Sequence, residues 1–178
     1  MSKILQLPNI GNGGRLGNQL FAIASTIGLA LRHGYTPRFP HWKYKPLFPN
    51  LPDEWFDEIK GSYPITESRY EYSNEADVIL ATGRYDLVSL KGYLQSPKYW
   101  AGYEDKIRYY LKPAGVEPGS KKGAVAIHYR RGDYVDNPEY VSLPMSYYLA
   151  SYDYFFSDKF VLACSDDAAF VKMHHGQE

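Results

Sequence analysis

The chain has 178 residues, 44% of them apolar and 22% charged, with a formal net charge of +0. That is enough for one ordinary domain, or a small domain plus part of another, and the neutral balance argues against a nucleic-acid binder held by bulk positive charge. No apolar run approaches the ~18–20 residues of a membrane span and Met1–Leu5 leads into no signal-peptide core, so a cytoplasmic location is expected.

The single Cys164 excludes an intramolecular disulfide and fits a reducing compartment. It follows the apolar run Phe160–Ala163 and reads as a small buried hydrophobe. Charge is unevenly spread. No acid precedes Asp53, while Lys3, Arg15, Arg32, Arg38, Lys43 and Lys45 all fall in that opening stretch, as either solvated surface or an anion-facing loop system.

In chain order, Lys3–Leu7 is a short strand, followed by the glycine-rich turn Gly11–Asn18. Leu16, Leu20, Ala24, Ile27 and Leu31 then recur at helical spacing, with Phe21 and Ile23 widening the stripe and Gly34 as the carboxyl cap. Strand, glycine turn and helix open a Rossmann-like βαβ unit. Pro37–Pro64 is rich in proline and aromatics and should hold little regular structure, as an ordered loop or short helices at a cleft edge; Pro37–Trp55 is a candidate binding platform. Val78–Ala81 and Leu87–Tyr93 read as strands, and Lys98–Leu111 as a helix with Trp100, Ile107 and Leu111 on one side. Lys112–Lys122 has linker composition.

A second βαβ pattern follows: a strand over Ala124–His128, a helix across Met145–Phe156, a strand over Phe160–Cys164 and a helix from about Asp166. Two strands and two helices are few for an independent doubly wound domain, so this half reads as unfinished.

The most informative stretch is His128-Tyr129-Arg130-Arg131-Gly132-Asp133-Tyr134, which places two permanent cations at the mouth of an apolar strand. Guanidinium groups match phosphate oxygens, and open α/β sheets bind ligands beyond the carboxyl ends of their strands. Strand alternation puts His128 and Arg130 on one face, making Arg130 the phosphate contact and Arg131 the structural partner of a carboxylate such as Asp133.

Gly13-Gly14-Arg15-Leu16-Gly17-Asn18-Gln19-Leu20-Phe21 resembles the opening signature of the α-1,2-fucosyltransferases of glycosyltransferase family 11, with Arg15 as an extra residue inside the glycine turn. Gly92–Trp100 is similar to the family's Gly-Tyr-aromatic-Gln-Ser stretch, and His128–Tyr134 to its His-x-Arg-Arg-Gly-Asp-Tyr motif. Leu143-Pro144 with Tyr147-Tyr148, then Ser165-Asp166-Asp167, follow in the family's order.

The resemblance implies an α/β, GT-B-like fold: a Rossmann-like N-terminal domain on the acceptor side over residues 1–113, then an incomplete donor-binding Rossmann-like domain over 122–178. It implies inverting, metal-independent transfer of fucose from GDP-fucose to a galactoside hydroxyl, with no cofactor. Arg130 and Asp133 would be catalytic, and His128, Arg130, Arg131, Ser165, Asp166 and Asp167 would hold the donor. Gly13, Gly14, Gly17, Asn18 and Gln19 would form a cleft loop. Family members run past the Ser-Asp-Asp segment into a third signature, so a truncated chain, or one completed by a second polypeptide, is expected.

Other readings remain. A non-catalytic remnant would keep only nucleotide or glycan contacts. An NADP-binding Rossmann protein would use Gly11-x-Gly13-Gly14-x-x-Gly17, with Arg38 on a 2′-phosphate. A metal at Asp166-Asp167 with His174-His175 is disfavoured, because adjacent acids at a helix start more often cap it.

Overall fold

The computed structural model describes residues 2–10, 14–67, 71–115, 123–155 and 159–175. They belong to two units, Met1–Val116 and Glu117–Glu178. The first unit begins with β1 (Ile4–Gln6), α1 (Leu16–His33) and β2 (Thr36–Arg38), then β3 (Tyr63–Glu67), α2 (Glu75–Ala81), β4 (Leu87–Gly92) and α3 (Glu104–Tyr110). Its sheet runs β2-β1-β4-β3 with every pairing parallel. Two βαβ crossovers therefore lie side by side and place β1 and β4 at the centre.

Apolar strand positions and α1 form the core: Leu5, Ile65, Val88 and Leu90 pack with Ile23, Ile27 and Leu29. The expected one-sided stripe of α1 is only part of the picture, because every residue from Ile23 to Ala30 is buried. The reason is a second cover. A 3-10 turn at Pro97–Trp100 lies against the helix, and a Cβ on Gly28 would sit 2.5 Å from Trp100 Cα. Gly34 takes the left-handed conformation and closes the helix by donating its N–H to the Ala30 carbonyl.

In this unit three sequence expectations need correction. Val78–Ala81 is not a strand but part of α2: Ala76 and Leu80 are buried one helical turn apart, Val78 faces solvent, and Glu75 and Asp77 complement the helix amino end. Lys98–Leu111 is not one helix. Ser96 and Pro97 start the 3-10 turn, Gly102 at φ +85° ends it, and α3 begins afterwards. The aromatics of the Pro37–Trp55 segment do not form an open platform: Trp42, Phe48 and Trp55 are buried, with Trp42 stacked on Phe48 at 5.5 Å between ring centroids. Two of the basic residues of this region meet acids, Arg38 with Asp57 and Lys45 with Asp53.

The second unit contains β5 (Val125–Tyr129), α4 (Met145–Phe155), β6 (Val161–Ser165) and α5 (Ala168–His175). β5 and β6 are parallel, with Tyr129 opposite Ser165. Val125, Ile127 and Tyr129 are the more buried positions of β5, and the Tyr129 ring meets Tyr148 of α4 and Phe170 of α5. Both helices therefore lie on one face. On the other, Ala126, His128, Leu162 and Cys164 are exposed. Cys164 is thus not buried as the sequence led us to expect; strand apolarity hid which face lacked a cover. The whole is mixed α/β with parallel sheets, compatible with a Rossmann-like fold.

Candidate functional site

The carboxyl ends of β5 and β6 bring the Arg-Arg and Asp-Asp pairs together, although about 35 residues of sequence separate them. The loop after β5 winds into a 3-10 turn at Gly132–Tyr134. Asp166 Oδ1 accepts hydrogen bonds from the backbone amides of Arg131, at 3.0 Å, and Gly132, at 3.1 Å. Ser165 closes the same corner: its hydroxyl donates to the Tyr129 carbonyl at 2.7 Å and accepts from the Asp167 amide at 2.9 Å.

Asp167 does two things. Its Oδ1 accepts the Phe170 amide at 3.0 Å and so caps α5, while its Oδ2 accepts from Arg131 Nε at 3.0 Å. The Phe170 amide first, and then the Arg131 guanidinium, hold the Asp167 carboxyl below the ordinary carboxylate range. The Arg131 Cζ also lies over the Phe170 ring, 3.8 Å from its centroid, so the guanidinium is held from two sides.

Arg130 is placed differently. Its Nη2 donates to Asp133, 2.8 Å from Oδ1 and 3.0 Å from Oδ2, and its Nη1 lies 3.9 Å from Asp166 Oδ2. Its Nε is buried and has no hydrogen-bond partner among the described residues. Asp133 is therefore the partner of Arg130, not of Arg131 as strand alternation led us to expect. Alternation stops at Tyr129, and the 3-10 turn returns residue 133 to the side chain three positions before it. The corner holds two guanidinium groups and three carboxylates. His128 is exposed on the open face, in register with Cys164.

In the first unit, Gly13 lies outside the described residues. Gly14 sits at φ +81°, packed against the Asn18 side chain, and its carbonyl accepts from Gln19 Nε2 at 2.9 Å. Gln19 is buried and accepts Trp42 Nε1 at 2.8 Å, so its amide ties the turn to the core. Gly17 is exposed in the first turn of α1.

Beyond the ends of β1 and β4 a cavity of about 310 Å³ brings Asn18 and Gln19 together with Gly92, Tyr93 and Gln95. Asn9 and Lys91 complete its polar wall and Leu7, Ile10 and Ala22 its apolar floor. Two motifs more than seventy residues apart in sequence thus share one wall.

A Caenorhabditis elegans protein resembles the chain. It is named "Putative galactoside 2-alpha-L-fucosyltransferase", and it is 27% identical over 157 residues, covering 76% of this chain and 43% of the worm protein. The chain therefore spans less than half the length of that curated relative. No family model matches this chain.

Sequence reasoning missed Asn9 and Lys91 at the cavity, and missed what Asp166 does for the loop after β5. Lys91 stands next to Gly92 in the motif that drew attention, whereas Asn9 carries no local signal. It also missed Glu67, buried at the end of β3. Burial pushes the Glu67 carboxyl above the ordinary carboxylate range, against hydrogen bonds from Ser73 and the Ala76 amide. Among the described residues, no group of three or more His, Cys, Asp or Glu side chains is arranged to hold a metal ion, and no helix is long and apolar enough to cross a membrane.

Proposed function

We propose that the chain belongs to a glycosyltransferase of GT-B-like organisation that moves fucose from GDP-fucose to a galactoside hydroxyl, forming an α-1,2 linkage with inversion and without a metal ion. The observation that carries the reading is the strand-end corner of the second unit, where Arg130 and Arg131 are fixed beside Ser165, Asp166 and Asp167. The name of the worm relative supports it. So does the order of the motifs along the chain.

Fucosyl transfer develops negative charge on the departing diphosphate and positive charge on the sugar ring. A guanidinium already fixed in place stabilises that leaving group with no reorganisation at the moment of reaction. Arg131 is committed to Asp167 and Phe170, so Arg130 is the group assigned to the diphosphate, through the donors that Asp133 does not occupy. Asp133 pairs with Arg130 and competes with the diphosphate for its guanidinium. His128 and the Ser165–Asp167 corner are assigned to the nucleotide side of the donor. A galactose-bearing glycan is the acceptor.

The test is a calorimetric titration of the full chain with GDP and with NADPH, alongside an assay for GDP release from GDP-fucose with and without lactose. GDP binding with lactose-dependent release is the expected result. GDP binding without release would keep the nucleotide contacts and remove the transferase reading. Tight NADPH binding with no response to GDP would replace it with the dinucleotide-binding reading.

A further inference from the structure

We propose that the cavity beyond β1 and β4 is a saccharide subsite, and that Lys91 makes it prefer a sugar acid over a neutral sugar. Naming that sugar the acceptor rests on the transferase reading above; the existence of the subsite does not.

The place is one where open parallel sheets take ligands, beyond the carboxyl ends of the two central strands. A volume of about 310 Å³ falls at the lower end of the ~300–1,000 Å³ typical of small-molecule pockets, enough for a sugar unit rather than a long cofactor. Its wall has the chemistry that a ring of hydroxyls requires. The side-chain amides of Asn9, Asn18 and Gln95 each offer donors and an acceptor, and Tyr93, a residue 44% exposed, adds an aromatic side chain to the lining.

Backbone conformation shows that this wall is built rather than incidental. Gly92 sits at φ +144° and Leu94, which is not glycine, at φ +53°. Left-handed backbone at a bulky residue persists only where its surroundings enforce it. Here they do: the Leu94 side chain is buried, and its carbonyl accepts the Ser25 hydroxyl at 2.7 Å in the interior. The consequence is that Tyr93 and Gln95, on either side of a buried residue, both line the cavity.

Charge supplies the selectivity. Among the described residues, Lys91 is the cation of the lining, no carboxylate lines the cavity, and Lys91 makes no ion pair. An ammonium group beside sugar-binding amides favours a ligand that carries a carboxylate. Because Lys91 is exposed, the gain is modest and sensitive to salt.

The test is an NMR titration of the full chain with digalacturonate and with lactose, using acetate as the control for bulk charge. Digalacturonate should bind about three- to five-fold tighter than lactose at low salt, an advantage that fades as salt is raised. Lys91→Met should erase that preference while lactose binding persists, and Tyr93→Ala should weaken both sugars. Equal binding of the two sugars, a preference that survives Lys91→Met, or no binding of either would overturn the proposal. GDP is titrated into the same samples. A sugar preference without GDP binding would keep the subsite and sink the transferase reading; GDP binding without a sugar preference would do the reverse.

Discussion

Asp166 holds the two successive backbone amides of Arg131 and Gly132 on a single carboxylate oxygen, so the end of one strand fixes the loop that leaves its neighbour. Those amides form an anion-binding concavity that the protein fills with its own side chain. On the proposed reading, a diphosphate would therefore meet guanidinium donors here rather than backbone ones.

Asp166→Ala leaves both amides without their acceptor. Hydrogen bonds to a charged group are worth about 1.5–3 kcal/mol each, and the partial exposure of this corner reduces that to about 1–2 kcal/mol in total. The midpoint of chemical denaturation should fall accordingly, and GDP affinity should fall with it. Unchanged GDP affinity would show that the loop after β5 does not shape the nucleotide site.

Arg130 and Asp133 should respond in opposite directions. Arg130→Ala removes the group assigned to the leaving diphosphate, and loss of one such preorganised donor costs about 10²–10³ in rate. Retention of more than about a tenth of the GDP-fucose turnover would refute the role. Asp133→Asn removes a competing carboxylate from the same guanidinium, so GDP should bind up to about five-fold tighter, the scale of one partly exposed ion pair. Weaker GDP binding in Asp133→Asn would mean that the carboxylate positions Arg130 more than it competes for it.

Glu67 makes stability depend on pH. Burial raises its folded pKa above the unfolded value, so the stability that the protonated carboxyl contributes is present below the unfolded pKa and is lost as pH rises through the folded one. Glu67→Gln keeps the shape and the capacity to accept the Ala76 amide while removing the titration. Thermal unfolding of the variant should match the parent near about pH 4 and lie above it near about pH 7. Equal melting temperatures at both would show that Glu67 titrates normally.

Gly92→Ala tests the strained turn. An added Cβ would lie 2.3 Å from the Glu67 carbonyl oxygen, and φ +144° is unfavourable for any L side chain. A destabilisation of about 2–4 kcal/mol is expected from strain and close contact together, read from the denaturation midpoint. A loss below about 0.5 kcal/mol, the usual size for an unconstrained surface site, would mean the turn relaxes without cost.

What could be read from the residues was set by local order. The strand and helix at the start, and the strand before His128, declare themselves through apolar periodicity and punctuation, and the structure places them within a residue or two; of the expected glycine turn, residues 11–13 lie outside the described residues and residues 16–18 already belong to α1. α2 did not, because Val78-Ile79-Leu80-Ala81 is a short apolar run whose helical phase is visible only once Ala76 is included. The aromatics at 42, 48 and 55 were read as a surface because composition carries no information about which side of a loop is covered. At the strand-end corner the residue types were legible. The pairing was not: Arg130 with Asp133 depends on a 3-10 turn, and Arg131 with Asp167 on the register of two strands.

The open face of β5 and β6 gives the molecule a built-in reporter position. Cys164 is the chain's one thiol, solvent-accessible and one strand across from His128. A fluorophore attached there needs no engineered attachment point, and a change in its emission on adding GDP would test the proposed nucleotide site while the arginines stay untouched.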